Sequence, residues 1–240
     1  MQNKIKLKTS IKFKFSSHRR HFINEVEKYF LSTNFKVMSS TLRATDNLEV
    51  LSGNRILLEY IKSFFCFSNY KFYLIVRNPQ ERLQSFFRDK FRVHPNSFGI
   101  NNFEWQHPQV IILDKLGIQI KDKTNPLFKE KLLAVKYAEF IDILPQIYMQ
   151  DAHLIPQNHL LDFNIGNLFM KIKPDKILKI ENIEDMSFIQ SILKINTEKK
   201  IKFTKHQYVE FSLKNAQQQI IREIYEVDFM KFNYKFTMIS

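Results

Sequence analysis

Residues 72–91, FYLIVRNPQERLQSFFRDKF, constrain this chain more than any other stretch. Tyr73, Leu74, Ile75 and Val76 make a short apolar run of aromatic and β-branched residues, the pattern of a strand buried on both faces. Arg77 then falls at the strand's carboxyl end. Asn78 suits an N-cap, and Pro79 pre-sets φ for a first helical turn. Leu83, Phe86, Phe87, Lys90 and Phe91 follow at helical spacing, with Phe86, Phe87 and Phe91 on one face. A guanidinium fork at a strand end, beside the free N–H groups of a helix start, suits a phosphate. The crevice outside the carboxyl ends of strands is where open α/β sheets bind ligands. The same residues also fit a βα unit whose arginine only caps a surface ion pair.

Around this unit the chain reads as strands alternating with helices, without repeats or low-complexity tracts. Residues 11–15, IKFKF, alternate apolar and basic as a strand does, and 18–31 read as a helix through Val26 and Phe30. A short strand is expected at 35–38, then a helix at 54–67 with Leu57, Leu58, Ile61, Phe64 and Phe65 on its apolar side. Residues 93–126 are rich in turn formers and read as irregular. A helix at 129–144 ends at Pro145, and 151–162 is mostly loop. Residues 176–180 read as a strand, 184–193 as a helix and 206–232 as one long terminal helix. This order predicts an α/β fold, a single domain over 1–240 with a mostly parallel sheet flanked by helices. A chain of 240 residues with 44% hydrophobic content can bury one such core.

Composition narrows the function classes. Only four glycines are present, and both G-x-G-x-x-G and G-x-x-x-x-G-K-[ST] are absent, which excludes the Gly-rich nucleotide loops. Cys66 is the only cysteine, so no intramolecular disulfide forms and a buried inert thiol is expected. No Cys/His cluster suggests a metal. The opening MQNKIKLKTS lacks the apolar core of a signal peptide, and no run reaches the roughly 18 to 20 apolar residues needed to cross a bilayer. A cytoplasmic location without a transmembrane segment is expected. A net charge of +13 points to anionic partners. The Lys-Phe alternation at 11–15 and 231–236 suits base stacking and phosphate tracking, and equally suits half-buried strands. A basic nucleic-acid-binding module therefore stands as a rival reading, weaker than a nucleotide site.

The run R-N-P-x-E-R-L-x-S-x-x-R-D-K-F from Arg77 resembles the 3'-phosphate-binding segment of sulfotransferases, R-[DN]-P-x-[ED]-R-[LF]-x-S-x-[YF]-x-x-[KR]. The likeness is to the Golgi carbohydrate sulfotransferases and their bacterial relatives in particular. Three further stretches are similar to segments of that family and occur in its order: DAHLIPQ at 151–157, KILKIENIED at 176–185 and IYEVDFMKFNY at 224–234. Together they span roughly residues 70–235. The resemblance implies a P-loop-like fold similar to that of nucleotide kinases. It also implies 3'-phosphoadenosine-5'-phosphosulfate (PAPS) as co-substrate, no metal, and a hydroxyl of a carbohydrate or glycan as acceptor.

Site residues follow from the same resemblance. Arg77 and Ser85 take the family's places on the 3'-phosphate. The family cradles the 5'-phosphosulfate in a loop P-K-x-[AG]-[GS]-[TS]-S after its first strand; following residues 11–15, Ser16, Ser17 and Arg19 stand in that place with His18 able to polarise the leaving oxygen, and Lys8-Thr9-Ser10 is the alternative remnant of the loop. This register requires residues 11–15 to lie beside strand 72–76, with Ser17 and Arg19 facing Arg77. The loop lacks the glycine and the Pro-Lys pair, so a catalytically inactive relative that binds the nucleotide or a glycan is a second reading. His153 is the leading candidate for a base, because imidazole titrates near neutrality, and Asp151 is placed to orient it. A structural hydrogen-bonding role for His153 is the alternative, and His94, His107 and Glu104 are other candidates. Trp105 fits either a sugar-stacking platform or the core. Transfer is expected in line, with the base taking the hydroxyl proton and cations stabilising charge on the departing phosphate.

Overall fold

The computed structural model of the chain describes residues 20–51, 53–64, 69–92, 105–119, 128–165, 168–194 and 209–238. Strands β1 (Arg20–Asn24) and β2 (Tyr29–Thr33) form an antiparallel hairpin. The helix expected at 18–31 is absent from Arg20 onward. Asn24 Oδ1 accepts the N–H groups of Val26 and Glu27 at 3.0 and 2.8 Å, and Lys28 adopts a left-handed φ of 54°. An Asx turn thus reverses the chain where the apolar spacing suggests a helix. Val26, counted on the helical face, is 86% exposed at the turn.

Beyond the hairpin come α1 (Ser39–Arg43), β3 (Glu49–Leu51), α2 (Gly53–Phe64), β4 (Lys71–Val76) and α3 (Pro79–Phe91). After α4 (His107–Lys115), α5 (Phe128–Ala134) and α6 (Tyr137–Ile147), a 3₁₀ helix at Gln157–Leu161 leads into a small hairpin, β5 (Asp162–Ile165) and β6 (Leu168–Lys171). Strand β7 (Lys176–Lys179), α7 (Ile183–Leu193), α8 (Asn215–Ile224) and α9 (Glu226–Lys231) complete the order. The main sheet runs β3-β1-β2-β4-β7. β2 pairs parallel with β4 and β4 with β7, while β1 pairs antiparallel with both β2 and β3, so β1 alone runs against the other four strands. The expected mostly parallel sheet holds by strand direction, with β1 as its one reversed strand, and the parallel pairs β2-β4-β7 carry the crevice.

Alternation along the strands divides the core between the two faces of the sheet. Phe30, Phe72, Leu74 and Val76 pack on one side with Leu51, Ile56, Leu160 and Phe232. Tyr29, Leu31, Ile75 and Leu178 pack on the other with Val37, Leu42, Ile189 and Leu193. A third cluster joins α3, α4, α6 and α8 through Phe86, Phe87, Phe91, Ile112, Tyr137, Phe140 and Ile221. Each such large apolar side chain contributes about 1.5–3 kcal/mol on burial, which anchors α3 from its far side. At its start, Asn78 Oδ1 accepts the Gln80 N–H at 2.9 Å and Pro79 occupies the first turn, as the sequence predicts.

Other departures have local causes. Residues 35–38 form a turn, not a strand, with Lys36 and Met38 both left-handed at φ 63° and 56°. Part of 93–126 is helical, since Gln109 Oε1 reaches back to the Gln106 N–H at 2.9 Å and opens α4. Residues 93–104 and Cys66 lie outside the described residues. The helix expected at 129–144 is split at Val135 and Lys136, and Pro145 sits within α6 instead of ending it. The terminal helix starts only at Asn215 and breaks at Tyr225.

Candidate active site

The parallel register brings the carboxyl ends of β2, β4 and β7 to one edge. Three turns leave from it: residues 34–38, Arg77 with Asn78, and 180–182. The first and second are joined directly, because Arg77 Nη1 donates to the Lys36 carbonyl oxygen at 3.3 Å. Both edges of β4 are occupied, by β2 and β7. The strand beside 72–76 that leads into the first of these turns is β2. Ser16, Ser17 and Arg19, like His18 and residues 8–15, lie outside the described residues.

The loop after β2 carries a signal the sequence reading missed. Lys36-Val37-Met38-Ser39-Ser40-Thr41 fits K-x-[AG]-[GS]-[TS]-S at the lysine and the two following hydroxyl positions, with threonine for the last serine and Met38 at the small-residue position. Met38 is left-handed there, the conformation that favours glycine, at a cost of about 1–2 kcal/mol. The Thr33 hydroxyl donates to the Val37 carbonyl at 2.6 Å, and Asn34 Oδ1 accepts the Phe35 N–H at 2.7 Å. These bonds fold the loop back on its strand and lift Lys36 to the edge. Lys36 Nζ lies 2.5 Å from Asp89 of α3. Burial lowers the Lys36 pKa, partly offset by Asp89.

Arg77 is held from all sides. Gln157 clamps its backbone, Oε1 accepting the Arg77 N–H at 3.0 Å and Nε2 donating to its carbonyl at 2.6 Å. The guanidinium pairs with Glu81 at 3.5 Å and Glu181 at 3.9 Å. Glu181 is itself fixed by the Asn78 N–H and the Tyr234 hydroxyl. The 3.9 Å approach to Glu181 is made by Arg77 Nε, which is buried and makes no hydrogen bond among the described residues, so a ligand oxygen can still accept from it. Ser85 lies one helical turn from Glu81, the partner of Arg77, and one turn from Asp89, the partner of Lys36. Helical spacing thus puts its partly buried side chain on the face of α3 between the two cations.

The 151–158 loop is built by buried polar groups. Arg82, with none of its surface exposed, donates to the His153 and Ile155 carbonyls, both at 2.9 Å, and lies over the Tyr225 ring. The Tyr225 hydroxyl donates to the Leu154 carbonyl at 2.6 Å. Asp228 accepts the N–H groups of Gln157 and Asn158, both at 2.7 Å. Burial pushes the Asp228 carboxyl up and the Arg82 guanidinium down, and each group's field partly offsets the other's shift. The tail residues Tyr225 and Asp228 thus act on the loop at 151–157.

His153 emerges from that loop into the crevice. Its ring stacks on Phe35, centroids 4.1 Å apart, and tilts against Phe86 at 5.5 Å. Nδ1 lies 2.7 Å from Asp151 Oδ1, which also accepts the His153 N–H at 2.8 Å. An ionised carboxylate only accepts. Nδ1 therefore carries the proton, and Nε2 keeps its lone pair. Burial lowers the His153 pKa, and Asp151 partly restores it. Burial alone would raise the Asp151 carboxyl, but its bonds to His153 outweigh that and hold it below the usual range. His107 Nδ1 approaches the other Asp151 oxygen at 3.4 Å from an exposed position. Trp105 packs against the helical-layer core, while His94 and Glu104 lie outside the described residues.

The crevice therefore joins a lysine loop, an arginine turn, a helix-borne serine and an Asp-His pair. Among the described residues no group of three or more His, Cys, Asp and Glu side chains is arranged to hold a metal, and no helix is long and apolar enough to cross a membrane. Neither curated proteins nor solved structures show a significant match to the chain. The profile described as "Sulfotransferase family" matches residues 14–235, nearly the whole chain. With that match lying over the crevice just described, the chain belongs to the sulfotransferase family.

Proposed function

We propose that this protein is a single-domain, PAPS-dependent sulfotransferase that acts on a hydroxyl of a carbohydrate or glycan. The observation that carries the reading is the hydrogen bond from Arg77 to the Lys36 carbonyl, with His153 stacked one residue away on Phe35. It gathers two cations and a neutral imidazole at one strand edge. The residues fit an anionic nucleotide: Arg77 Nε is buried without a hydrogen bond among the described residues, with Glu181 at 3.9 Å, and Ser85 stands at helical spacing between Glu81 and Asp89, the partners of the two cations. Arg77 and Ser85 hold the 3'-phosphate, and Lys36 with Ser39 and Ser40 holds the 5' side. The co-substrate supplies the activated sulfuryl group. His153 Nε2 accepts the acceptor hydroxyl's proton, and Asp151 stabilises the resulting imidazolium. Lys36 steadies negative charge where the leaving phosphate develops it.

Adenosine 3',5'-bisphosphate is expected to raise the melting temperature of the protein, since a ligand specific to the native state adds RT ln(1 + [L]/Kd). Arg77→Ala should remove most of the shift. Calorimetry with millimolar nucleotide and no shift in the native protein would defeat the nucleotide reading. Tight binding of single-stranded or duplex nucleic acid, unaffected by the mononucleotide and by Arg77→Ala, would favour a nucleic-acid-binding module instead.

The base has a pH signature. His153 must be neutral to accept a proton, so activity falls as pH drops through its pKa, which burial places below the ordinary imidazole value. The charged groups around it are Asp151 on its own loop, Lys36, Lys90 on α3 and, across Asp151, His107. Asp151→Asn removes the group that raises the His153 pKa. The acid limb of kcat/KM should therefore move to lower pH, and kcat should fall by about 10²- to 10⁴-fold as the tautomer is lost. A pH profile unchanged in both variants, Asp151→Asn and His153→Asn, would remove His153 from the chemistry.

A further inference from the structure

The lysine proposed to meet the 5' end of the nucleotide is not free in this structure. Asp89 Oδ2 lies 2.5 Å from Lys36 Nζ and 3.0 Å from Lys90 Nζ. Lys90 is almost buried, and its position is set from α4: its Nζ donates to Gln106 Oε1 at 2.5 Å, and its carbonyl accepts from Gln109 Nε2 at 2.7 Å. The aspartate therefore has one cation on a turn, Lys36, and one fixed to the helical layer, Lys90. Both side chains of the Lys36 pair are mostly shielded, 19% and 31% exposed, so their attraction is only partly screened by solvent. Burial alone would raise the Asp89 carboxyl, but Lys36 and Lys90 together outweigh it, so Asp89 is a full anion near neutrality.

An ammonium group offers three donors, so geometry alone allows it to hold a carboxylate and a ligand together. Charge opposes it. A second anion placed on Lys36 comes within a few ångströms of Asp89, and like charges at that range repel strongly where water is scarce. Arg77 is arranged differently: Glu181 cannot withdraw from it, being tied to the Asn78 N–H and the Tyr234 hydroxyl. Asp89 can withdraw from Lys36 without becoming an unpaired buried charge, because Lys90 remains.

We propose that Asp89 is a resident counter-ion that occupies Lys36 in the ligand-free protein, is displaced onto Lys90 by a nucleotide's anionic 5' group, and by competing for Lys36 limits how long the spent bisphosphate stays bound. This rests on the nucleotide reading of the site. It assigns to one helical carboxylate a direct effect on the 5' end and none on the 3' end.

The test compares adenosine 3',5'-bisphosphate with adenosine 3'-monophosphate on native protein, Asp89→Asn and Asp89→Ser, each checked for an unchanged melting profile, by calorimetry and stopped-flow dissociation. Removing the carboxylate should tighten bisphosphate binding about tenfold, mostly through slower dissociation, a size usual for directly coupled groups. The 3'-monophosphate should bind all three proteins alike, and in a Lys36→Met background the Asp89 effect should vanish. Weaker bisphosphate binding in both Asp89 variants, or an equal gain for both nucleotides, would overturn the counter-ion role while leaving the nucleotide site standing. If no variant, native protein included, bound either nucleotide, the reading beneath it would fall as well.

Discussion

Replacing Lys36 by methionine is expected to lower sulfuryl transfer by about 10²- to 10³-fold in kcat, the usual cost of removing one preorganised charge from a developing oxyanion, while nucleotide affinity changes far less. The split between the two parameters matters. A cation aimed at the leaving phosphate acts where charge appears during reaction, so its loss falls on kcat more than on binding. Methionine keeps the aliphatic stem, and Asp89 keeps Lys90 at 3.0 Å, so the fold should persist. Single-turnover measurements with saturating co-substrate would read the effect. If the variant lost binding and turnover equally, Lys36 would be a ground-state ligand only. If it lost neither, the cradle would have to be sought elsewhere in the chain.

Arg82→Leu should be the most destabilising single change at the site. The guanidinium is fully buried, bridges the carbonyls of His153 and Ile155, and balances the buried carboxylate of Asp228. Leucine leaves the His153 carbonyl without this donor, the Ile155 carbonyl with only the Asn34 amide at 3.4 Å, and Asp228 without its nearby cation. Removing one member of a buried charge system costs about 3–5 kcal/mol, which for a chain of this size lowers the melting temperature by roughly 10 °C or more. Arg82→Lys should recover little, because a point charge cannot span two carbonyls as a planar fork does. Urea denaturation of both variants checks this, and a loss under about 1 kcal/mol would mean that water replaces the guanidinium without penalty.

The β4–α3 unit was legible because each signal is local: an apolar run, then Asn-Pro, then helical spacing of phenylalanines. Four family-like segments were also found, but their shared purpose was not. Arg82, Tyr225, Asp228 and Gln157 come from three of those segments, and only packing shows that they hold one loop. Residues 18–31 misled because Val26 and Phe30 sit at helical spacing, while the deciding group is the Asn24 side chain closing a turn. That turn produced β2, and with it the true neighbour of β4. The lysine loop escaped notice for a related reason: Met38 takes a left-handed conformation expected of glycine, and Phe35 stands where the family has proline. A serine-threonine end to an apolar strand, followed within eight residues by K-x-x-S-S-T, was the available clue.

The clamp on the 151–158 loop also dictates when, during synthesis, this protein can become functional. Ribosomes deliver the chain from its amino end, and domains complete only when their long-range partners have emerged. The lysine loop and the arginine turn lie in the first ninety residues, yet the charge that balances Arg82 sits at Asp228, and Glu181 waits for the hydroxyl of Tyr234. Gln80 likewise pairs both its amide atoms with the backbone of Thr237. A nascent chain stalled before residue 225 would carry a nearly complete sheet around a stranded guanidinium, with its histidine loop unsecured. Such a chain is a natural client for chaperones, and lesions that remove only residues 225–237 should be as damaging as ones far upstream.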